Sequence, residues 1–342
     1  MAKFTVEDLA QFAGTSVKYL GVIADRLPSG RDFQSFSHAT RGGGTREIVA
    51  PAAPLDNITK NLYRNFVQEF SYSPPMHVHG FIKGRSTLTN AMEHLAKPCV
   101  LRVDLKEFFP SISFSRVQSS LAQQGLNPDA AEICSRIVTI NSVLPIGLST
   151  SPLLSNLVFY DTDVKLAEYS KIQGLSFTRY VDDLIFSGDV NDRQLLDIRE
   201  ILEEDGWSVN DRKVAFMRRG GPQYVTGLYV GCADRPRVPR AIKKQLRWVT
   251  HMIKTVGYEV YYEDFGGGES EMFPNRLLGW ARYVASVEPE IGKPMLKFFL
   301  ENIPANSYFG GFGSMDSPGI QGKSFSIGEY IRIHRDSLRR NE

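Results

Sequence analysis

The stretch Thr178-Arg-Tyr-Val-Asp-Asp-Leu-Ile-Phe-Ser187 constrains this chain more than any other. Apolar and β-branched residues flank a polar pair, which is the pattern of strand, tight turn and strand. The strands are expected at Leu175 to Tyr180 and at Leu184 to Ser187. A hairpin of this kind puts Asp182 and Asp183 at its tip. Two carboxylates held that close raise one another's pKa unless a cation lies between them. Mg²⁺ suits such a site, because it takes oxygen ligands, commonly one or two carboxylates together with substrate phosphates. The stretch therefore reads either as a metal-dependent phosphoryl-transfer site or as an Asp-Asp turn at the surface, since Asp is a common turn residue. The rest of the chain has to decide.

Composition narrows the class without naming a chemistry. Of 342 residues, 42% are hydrophobic and 23% charged, which fits a globular chain of one large domain or two to three subdomains. A net charge of +2 neither favours nor excludes nucleic acid, so the local distribution of charge matters more. Cys99, Cys134 and Cys232 are isolated, an odd set that argues against a disulfide framework or a zinc site and suits a reducing cytoplasm. No apolar run approaches membrane-spanning length and the N-terminus carries no apolar leader, so no membrane partner is expected.

Along the chain, residues 5–26 read as helix with a break at Gly14 and Ser16. Residues 33–50 read as a β-hairpin around Gly42 to Gly44. Arg41 and Arg46 flank its tip, where guanidinium groups could clamp a triphosphate or simply be solvated. Residues 55–70 suggest a helix carrying Lys60 and Arg64. His77, His79 and His94 are read as structural histidines, because no cysteine or convergent carboxylate completes a zinc set. Cys99 to Leu105 alternates as a strand, with Asp104 on the face opposite Leu101, Val103 and Leu105. Leu144 to Asn156 is a loop entering a long helix, with Ser149, Thr150 and Ser151 as candidate caps and Pro152 in the first turn. Strands are expected near Val214 to Met217 and across Gln223 to Val230, broken at Gly227.

From about Pro239 to Lys254 a helix is expected. Arg240, Lys243, Lys244, Arg247, His251 and Lys254 fall within about 100° of one another on it. Ile242, Leu246, Val249 and Ile253 take the other side. No Glu is interleaved with the basic residues, so the face reads as a stripe lying along a phosphate backbone rather than as a salt-bridged surface. Glu263 to Glu271 is expected to be a solvated connector, Leu277 to Val287 and Leu296 to Asn302 helices, and Ser307 to Gly322 a loop. Ile331 to Arg340 forms a second basic segment.

Taken together, the motifs resemble the palm of a reverse transcriptase. Val103-Asp104-Leu-Lys-Glu-Phe-Phe109-Pro-Ser-Ile112 resembles the first catalytic motif and Gly147 to Asn156 the second. Tyr180-Val-Asp-Asp183 is the third, and Asn210-Asp-Arg-Lys213 resembles the lysine-bearing fourth. Asn90-Ala91-Met-Glu-His94 and Val225-Thr226-Gly227 are similar to two motifs of bacterial retron enzymes.

This resemblance implies an α+β fold of the right-hand polymerase type, with fingers, a palm with an antiparallel sheet and a helical thumb. The N-terminal extension would cover 1–32, the fingers 33–98, the palm 99–235 with fingers-side helices at about 113–143, and the thumb with a basic end 236–342. It implies a nucleotidyltransferase in which Asp104, Asp182 and Asp183 bind two Mg²⁺ ions (or Mn²⁺ in vitro) with the Leu105 carbonyl as a further ligand. Phe109 would be the steric gate against a ribose 2′-OH, Gly147 would lie beside the incoming nucleotide, and Lys213 would be the acid toward pyrophosphate. Arg46, with Arg41 or Lys60, would contact the triphosphate. Arg240, Lys243, Lys244, Arg247 and Lys254 would track an RNA–DNA hybrid. Ile146 stands where many relatives carry Gln beside the incoming sugar, so any role there is apolar packing.

The implied partners are deoxynucleotides and a cognate non-coding RNA, acting as template and, through a guanosine 2′-OH, as primer. A separate effector protein in antiphage defence and a host RNase H are implied as well. Two competing readings remain. One is another bacterial reverse transcriptase, defence-associated or intron-like, although the length leaves no room for the usual intron-type extra domains. The other is a non-catalytic RNA-binding scaffold, against which the three aspartates and Lys213 argue.

Overall fold

The computed structural model describes residues 3–39, 44–265 and 273–304. The chain divides into two compact units, Met1–Thr226 and Gly227–Glu342.

In the first unit, helices α1 (Val6–Ala13) and α2 (Val17–Arg26) meet at the expected break. Gly14 takes the left-handed conformation there and Ser16 caps α2 through its hydroxyl. Strands β1 (Phe33–Ala39) and β2 (Thr45–Pro51) form the expected hairpin, from Phe33 paired with Pro51 to Ala39 paired with Thr45. Residues 40–43 at its tip, Arg41 among them, lie outside the described residues. Helices α3 (Ala53–Glu69) and α4 (Thr87–Met92) follow, then β3 (Cys99–Asp104), α5 (Phe114–Gln123), α6 (Pro128–Val138), α7 (Ser151–Val158) and α8 (Tyr160–Ile172). The unit continues with β4 (Ser176–Tyr180), β5 (Asp183–Gly188), α9 (Asp192–Glu204), β6 (Ala215–Arg218) and β7 (Tyr224–Val225).

The central sheet has the order β4-β5-β3-β6, and every neighbouring pair is antiparallel. Leu101, Val103, Leu184 and Phe186 from this sheet join one apolar core with residues of α1 to α3 and α5 to α9. An aromatic cluster sits in that core: Phe108 packs on Phe159 and Trp207 at centroid separations of 5.7 and 5.6 Å.

Two local expectations fail. The helix entered at Ser151 is not one long rod but α7 and α8, separated at Phe159, whose buried ring joins the aromatic cluster and whose backbone stays right-handed but opens to ψ −3°. Pro152 is in the first turn of α7, but Thr150 at its N-cap makes no capping hydrogen bond. Its backbone is already helical, so its hydroxyl cannot swing onto the free N–H groups. Helix α9 has no counterpart among the expectations, although Asn191 and Gln194 form a reciprocal capping box at its start.

The second unit holds β8 (Leu228–Tyr229), α10 (Arg240–Val256), α11 (Tyr258–Phe265), α12 (Phe273–Val287) and α13 (Pro289–Asn302). Helix α10 packs against α11, α12 and α13. Glu263 to Phe265, expected in a connector, lie in α11; the remainder of that stretch, from residue 266, falls outside the described residues, as do Ser307 to Gly322 and Ile331 to Arg340. Among the described residues no helix is long and apolar enough to cross a membrane.

Candidate active site

The site is built at one end of the central sheet. Asp104, the last residue of β3, is paired in register with Asp183, the first residue of β5. Tyr180 pairs with Asp183, which leaves Val181 and Asp182 as a two-residue turn. Asp182 is tied back to β3, because the Leu105 amide donates to its carbonyl at 3.0 Å. One register thus brings Asp104, Asp182 and Asp183 to the same edge although nearly eighty positions separate them in sequence.

The turn is tight and strained. Val181 has φ +64°, a conformation costly for a β-branched residue and matched to the first position of a hairpin turn. Such strain persists only where the surroundings impose it. Gly80 abuts it so closely that a Cβ there would lie 2.5 Å from the Val181 nitrogen. Residues 77–79 run beside β4, with the Arg179 amide donating to the His77 carbonyl and the His79 amide to the Arg179 carbonyl, both at 2.8 Å. Below them Arg179 and Asp163 form a fully buried ion pair. A third guanidinium nitrogen of Arg179 donates to the Val181 carbonyl at 3.1 Å.

The carboxylates carry a high charge density. Burial is the main cause that raises the Asp182 carboxyl above the ordinary range, and the Asp104 charge adds to it; Lys213 and Arg46 pull the other way. Burial likewise raises Asp183 against the opposing pull of Arg102. Lys213 contacts both oxygens of Asp104 at 2.8 Å. Asn210 adds a donor to Asp104 at 3.2 Å, and its own amide bonds the Asp104 carbonyl. Arg102 donates to Asp183 at 2.6 Å.

With Asp104 and Asp183 drawn onto these cations, no three His, Cys, Asp or Glu side chains among the described residues form a ready-made metal cage. The donors nonetheless suit a hard divalent cation. They are all oxygens, they are crowded, and burial keeps Asp182 and Asp183 short of the solvation their charged forms need.

The other expected residues are placed as follows. Arg46 on β2 lies within electrostatic reach of Asp182. Lys60 instead pairs with Asp56 on the exposed side of α3. Phe109 is half-buried, packed on Phe108. Gly147 lies against β2 with φ +127°, and a Cβ there would be 1.9 Å from the Val49 carbonyl oxygen. The Ile146 carbonyl accepts from the Val49 amide at 2.8 Å, which docks this loop on the hairpin.

The two retron-like motifs meet. His94 is fully buried and spans the β4–β5 hairpin, Nδ1 to the Ser187 hydroxyl at 2.6 Å and Nε2 to the Thr178 hydroxyl at 2.7 Å. Burial holds its imidazole neutral, with its pKa pushed down to about 3. His77 and His79 are also lowered chiefly by burial. Asn90 and Ala91 are buried in α4. The Thr226 hydroxyl donates to the carbonyl of Thr87, the first residue of that helix, while Val225 is buried beside it. Gly227 has φ +83°.

On α10, Arg240, Lys244, Arg247, His251 and Lys254 are exposed as expected. Lys243 departs from the stripe. It is buried and its ammonium contacts both oxygens of Glu288, at 2.8 and 2.9 Å. At about 100° per residue Lys243 is the member of the stripe nearest Leu246, so it turns into the core rather than out.

Sequence reasoning missed Arg102, Arg179 with Asp163, and Asn210 as a donor to Asp104. For Arg102 a signal existed: it lies two residues before Asp104 on a strand and so shares its face. For Arg179, a charged residue inside an otherwise β-prone run was the available clue.

Residues 53–260 match the family described as reverse transcriptase (RNA-dependent DNA polymerase). The chain is 32% identical over 272 residues to the retron Mx65 reverse transcriptase of Myxococcus xanthus, a match covering 71% of this chain and 63% of that protein. It is 30% identical over 331 residues to the retron Mx162 reverse transcriptase of the same organism, covering 85% of this chain and 66% of that protein. To the retron Ec86 reverse transcriptase of Escherichia coli it is 27% identical, over 74% of this chain and 75% of that one. The two Myxococcus xanthus relatives are thus matched over just under two thirds of their length.

Proposed function

The chain belongs to the reverse transcriptase family, of the retron type, and from this we propose that it synthesises DNA on an RNA template. One observation carries the proposal: the β3–β5 register that sets Asp104 opposite Asp183, with Asp182 at the adjoining turn. In this reading the central sheet is the palm, the β1–β2 hairpin belongs to the fingers and helices α10 to α13 form the thumb. Asp104, Asp182 and Asp183, with the Leu105 carbonyl, would hold two Mg²⁺ ions. Bound there, divalent cations supply the positive charge that activates a primer hydroxyl and offsets charge on the leaving pyrophosphate.

The chain's own residues do the rest. Lys213 and Arg102 supply counter-charge to Asp104 and Asp183 and keep the carboxylates apart before substrate arrives. As phosphates enter, Lys213 is positioned to turn from Asp104 toward the pyrophosphate and donate its proton there. Arg46 reaches the triphosphate from β2. Phe109 closes the sugar pocket against a 2′-OH, and the Gly147 loop, docked on β2, borders the incoming nucleotide. Arg240, Lys244, Arg247 and Lys254 provide a stripe that contacts backbone phosphates without reading sequence, which suits an RNA–DNA hybrid.

The retron motifs further support a cognate non-coding RNA as template and primer, with a guanosine 2′-OH starting the DNA and a branched RNA–DNA product, in a role in antiphage defence. Purified protein given that RNA, Mg²⁺ and deoxynucleotides should make DNA joined 2′–5′ to the RNA. Synthesis of unbranched DNA alone would contradict the priming scheme and leave another kind of bacterial reverse transcriptase. RNA binding with no incorporation on any primer would leave a scaffold.

A further inference from the structure

The aromatic ring of Phe81 has no task in the reaction as described, yet three features set it apart. It lies 47% exposed, unusual for a Phe beside a well-packed core. Its backbone is left-handed, φ +63°, a conformation that a bulky residue rarely adopts without an imposed reason. Its ring meets Phe109 edge to face, with centroids 6.2 Å apart and planes at 68°.

The surroundings explain how that geometry is imposed. Gly80, the preceding residue, is pressed against Val181 of the catalytic turn, and the Gly80 carbonyl accepts from the Asn156 amide at 3.1 Å. On the other side the loop is clamped by Arg85, whose guanidinium donates to the carbonyls of Pro74, Pro75 and Val78. The backbone at Phe81 is therefore fixed relative to the turn that carries Asp182. Phe109 is held on one side by buried Phe108, at 5.6 Å and 71°, which is itself wedged against Phe159 and Trp207. Phe81 supplies an aromatic contact from the exposed side.

We propose that Phe81 is a specificity-determining residue, bracing Phe109 so that its ring keeps the orientation that excludes a ribose 2′-OH. The inference rests on the reading of Phe109 as the sugar gate. A gate ring backed only by Phe108 could tilt away from an added hydroxyl; a second aromatic edge removes that escape. Edge-to-face pairs of this kind change an equilibrium by roughly three- to tenfold, which sets the expected size of the effect.

The test compares single-nucleotide addition of a deoxynucleotide and the matching ribonucleotide by the full chain on a DNA-primed RNA template. The readout is the ratio of the two kcat/KM values for the wild type, F81L, F81Y, F109A and F81L/F109A. F81L should lower the preference for deoxynucleotide about three- to tenfold, F81Y should restore it, and F81L should add nothing in the F109A background. The ratio is insensitive to a general loss of folded enzyme, since both substrates share it. Unchanged discrimination in F81L, with discrimination lost in F109A, overturns the brace and leaves the gate standing. An additive effect in the double variant also overturns the brace. Unchanged discrimination in F109A overturns the gate itself.

Discussion

Arg179 and Asp163 share two parallel hydrogen bonds at 2.7 and 2.5 Å, both side chains fully removed from solvent, and the remaining guanidinium nitrogen ends on the carbonyl of Val181. A buried pair of this kind is an anchor for shape more than a source of net stability, since desolvating both charges offsets much of their attraction. Its purpose here is visible in what it touches. It reaches the strained residue that aims Asp182, and the Arg179 guanidinium also lies over the Phe159 ring at 4.7 Å.

Removing one partner strands the other charge. Asp163→Ala or Arg179→Met should each destabilise the protein by about 3–5 kcal/mol. The double change Asp163→Leu with Arg179→Met should cost much less. Urea unfolding of the four proteins measures this; equal losses in the single and double variants would contradict it.

Stability should fall on acidification through the buried histidines. In the unfolded chain His94 takes a proton near pH 6.5; folded, burial delays this to about 3. Its neutral form therefore contributes fully above about pH 6.5, and that contribution is lost as pH falls from there toward 3. His79, lowered to about 4, adds to the same window. Melting temperature should drop steadily below pH 6.5, the total loss being on the order of a few kcal/mol. In His94→Gln the slope should be shallower, and an unchanged slope would remove His94 from the account.

Gly147→Ala should be harmful on two grounds, the left-handed φ and the collision of a Cβ with the Val49 carbonyl. The loop must move off β2, which takes the nucleotide-side backbone with it. Incorporation should show a KM for deoxynucleotide raised by roughly tenfold or more, with destabilisation of about 1–3 kcal/mol. A variant with wild-type KM would show that this loop does not border the nucleotide.

The basic residues of α10 should separate into two groups. Lys243→Ala leaves Glu288 buried without its ammonium partner and should lower stability by about 3 kcal/mol or more. Lys244→Ala and Arg247→Ala should leave the melting temperature within about a degree, as exposed substitutions do. Each should weaken RNA–DNA binding and reduce the salt slope of log K by about one. Binding titrations across salt concentrations and thermal melts distinguish the groups.

How much of this was legible in sequence follows from the range of the forces involved. The Tyr180 to Asp183 hairpin was readable because alternation and turn chemistry are local, and both strands fall within a residue or two of expectation. Asp104 was readable as a strand-end carboxylate, but its pairing with Asp183 is a matter of register between distant segments. The metal-poised picture drawn from three aspartates omitted Arg102 and Asn210, which only the folded sheet brings to them. The sequence reads His94 as a structural histidine, yet its span from Thr178 to Ser187 needs the third dimension. Lys243 shows the limit most plainly. Helical angle alone puts it on the basic face, and only the position of Glu288, some forty-five residues later, turns it inward.

The central claim is that Asp182, held at the strained turn beside Asp104, makes this chain an RNA-directed DNA polymerase. The most direct measurement is incorporation of labelled deoxynucleotide on a DNA-primed RNA template with Mg²⁺, by the wild type and by Asp182→Asn. The wild type should extend the primer. The variant, with an unaltered fold by circular dichroism, should be slower by at least about a hundredfold, because a misplaced cation forfeits several kcal/mol of transition-state stabilisation. An Asp182→Asn protein that retains full synthesis would contradict the claim.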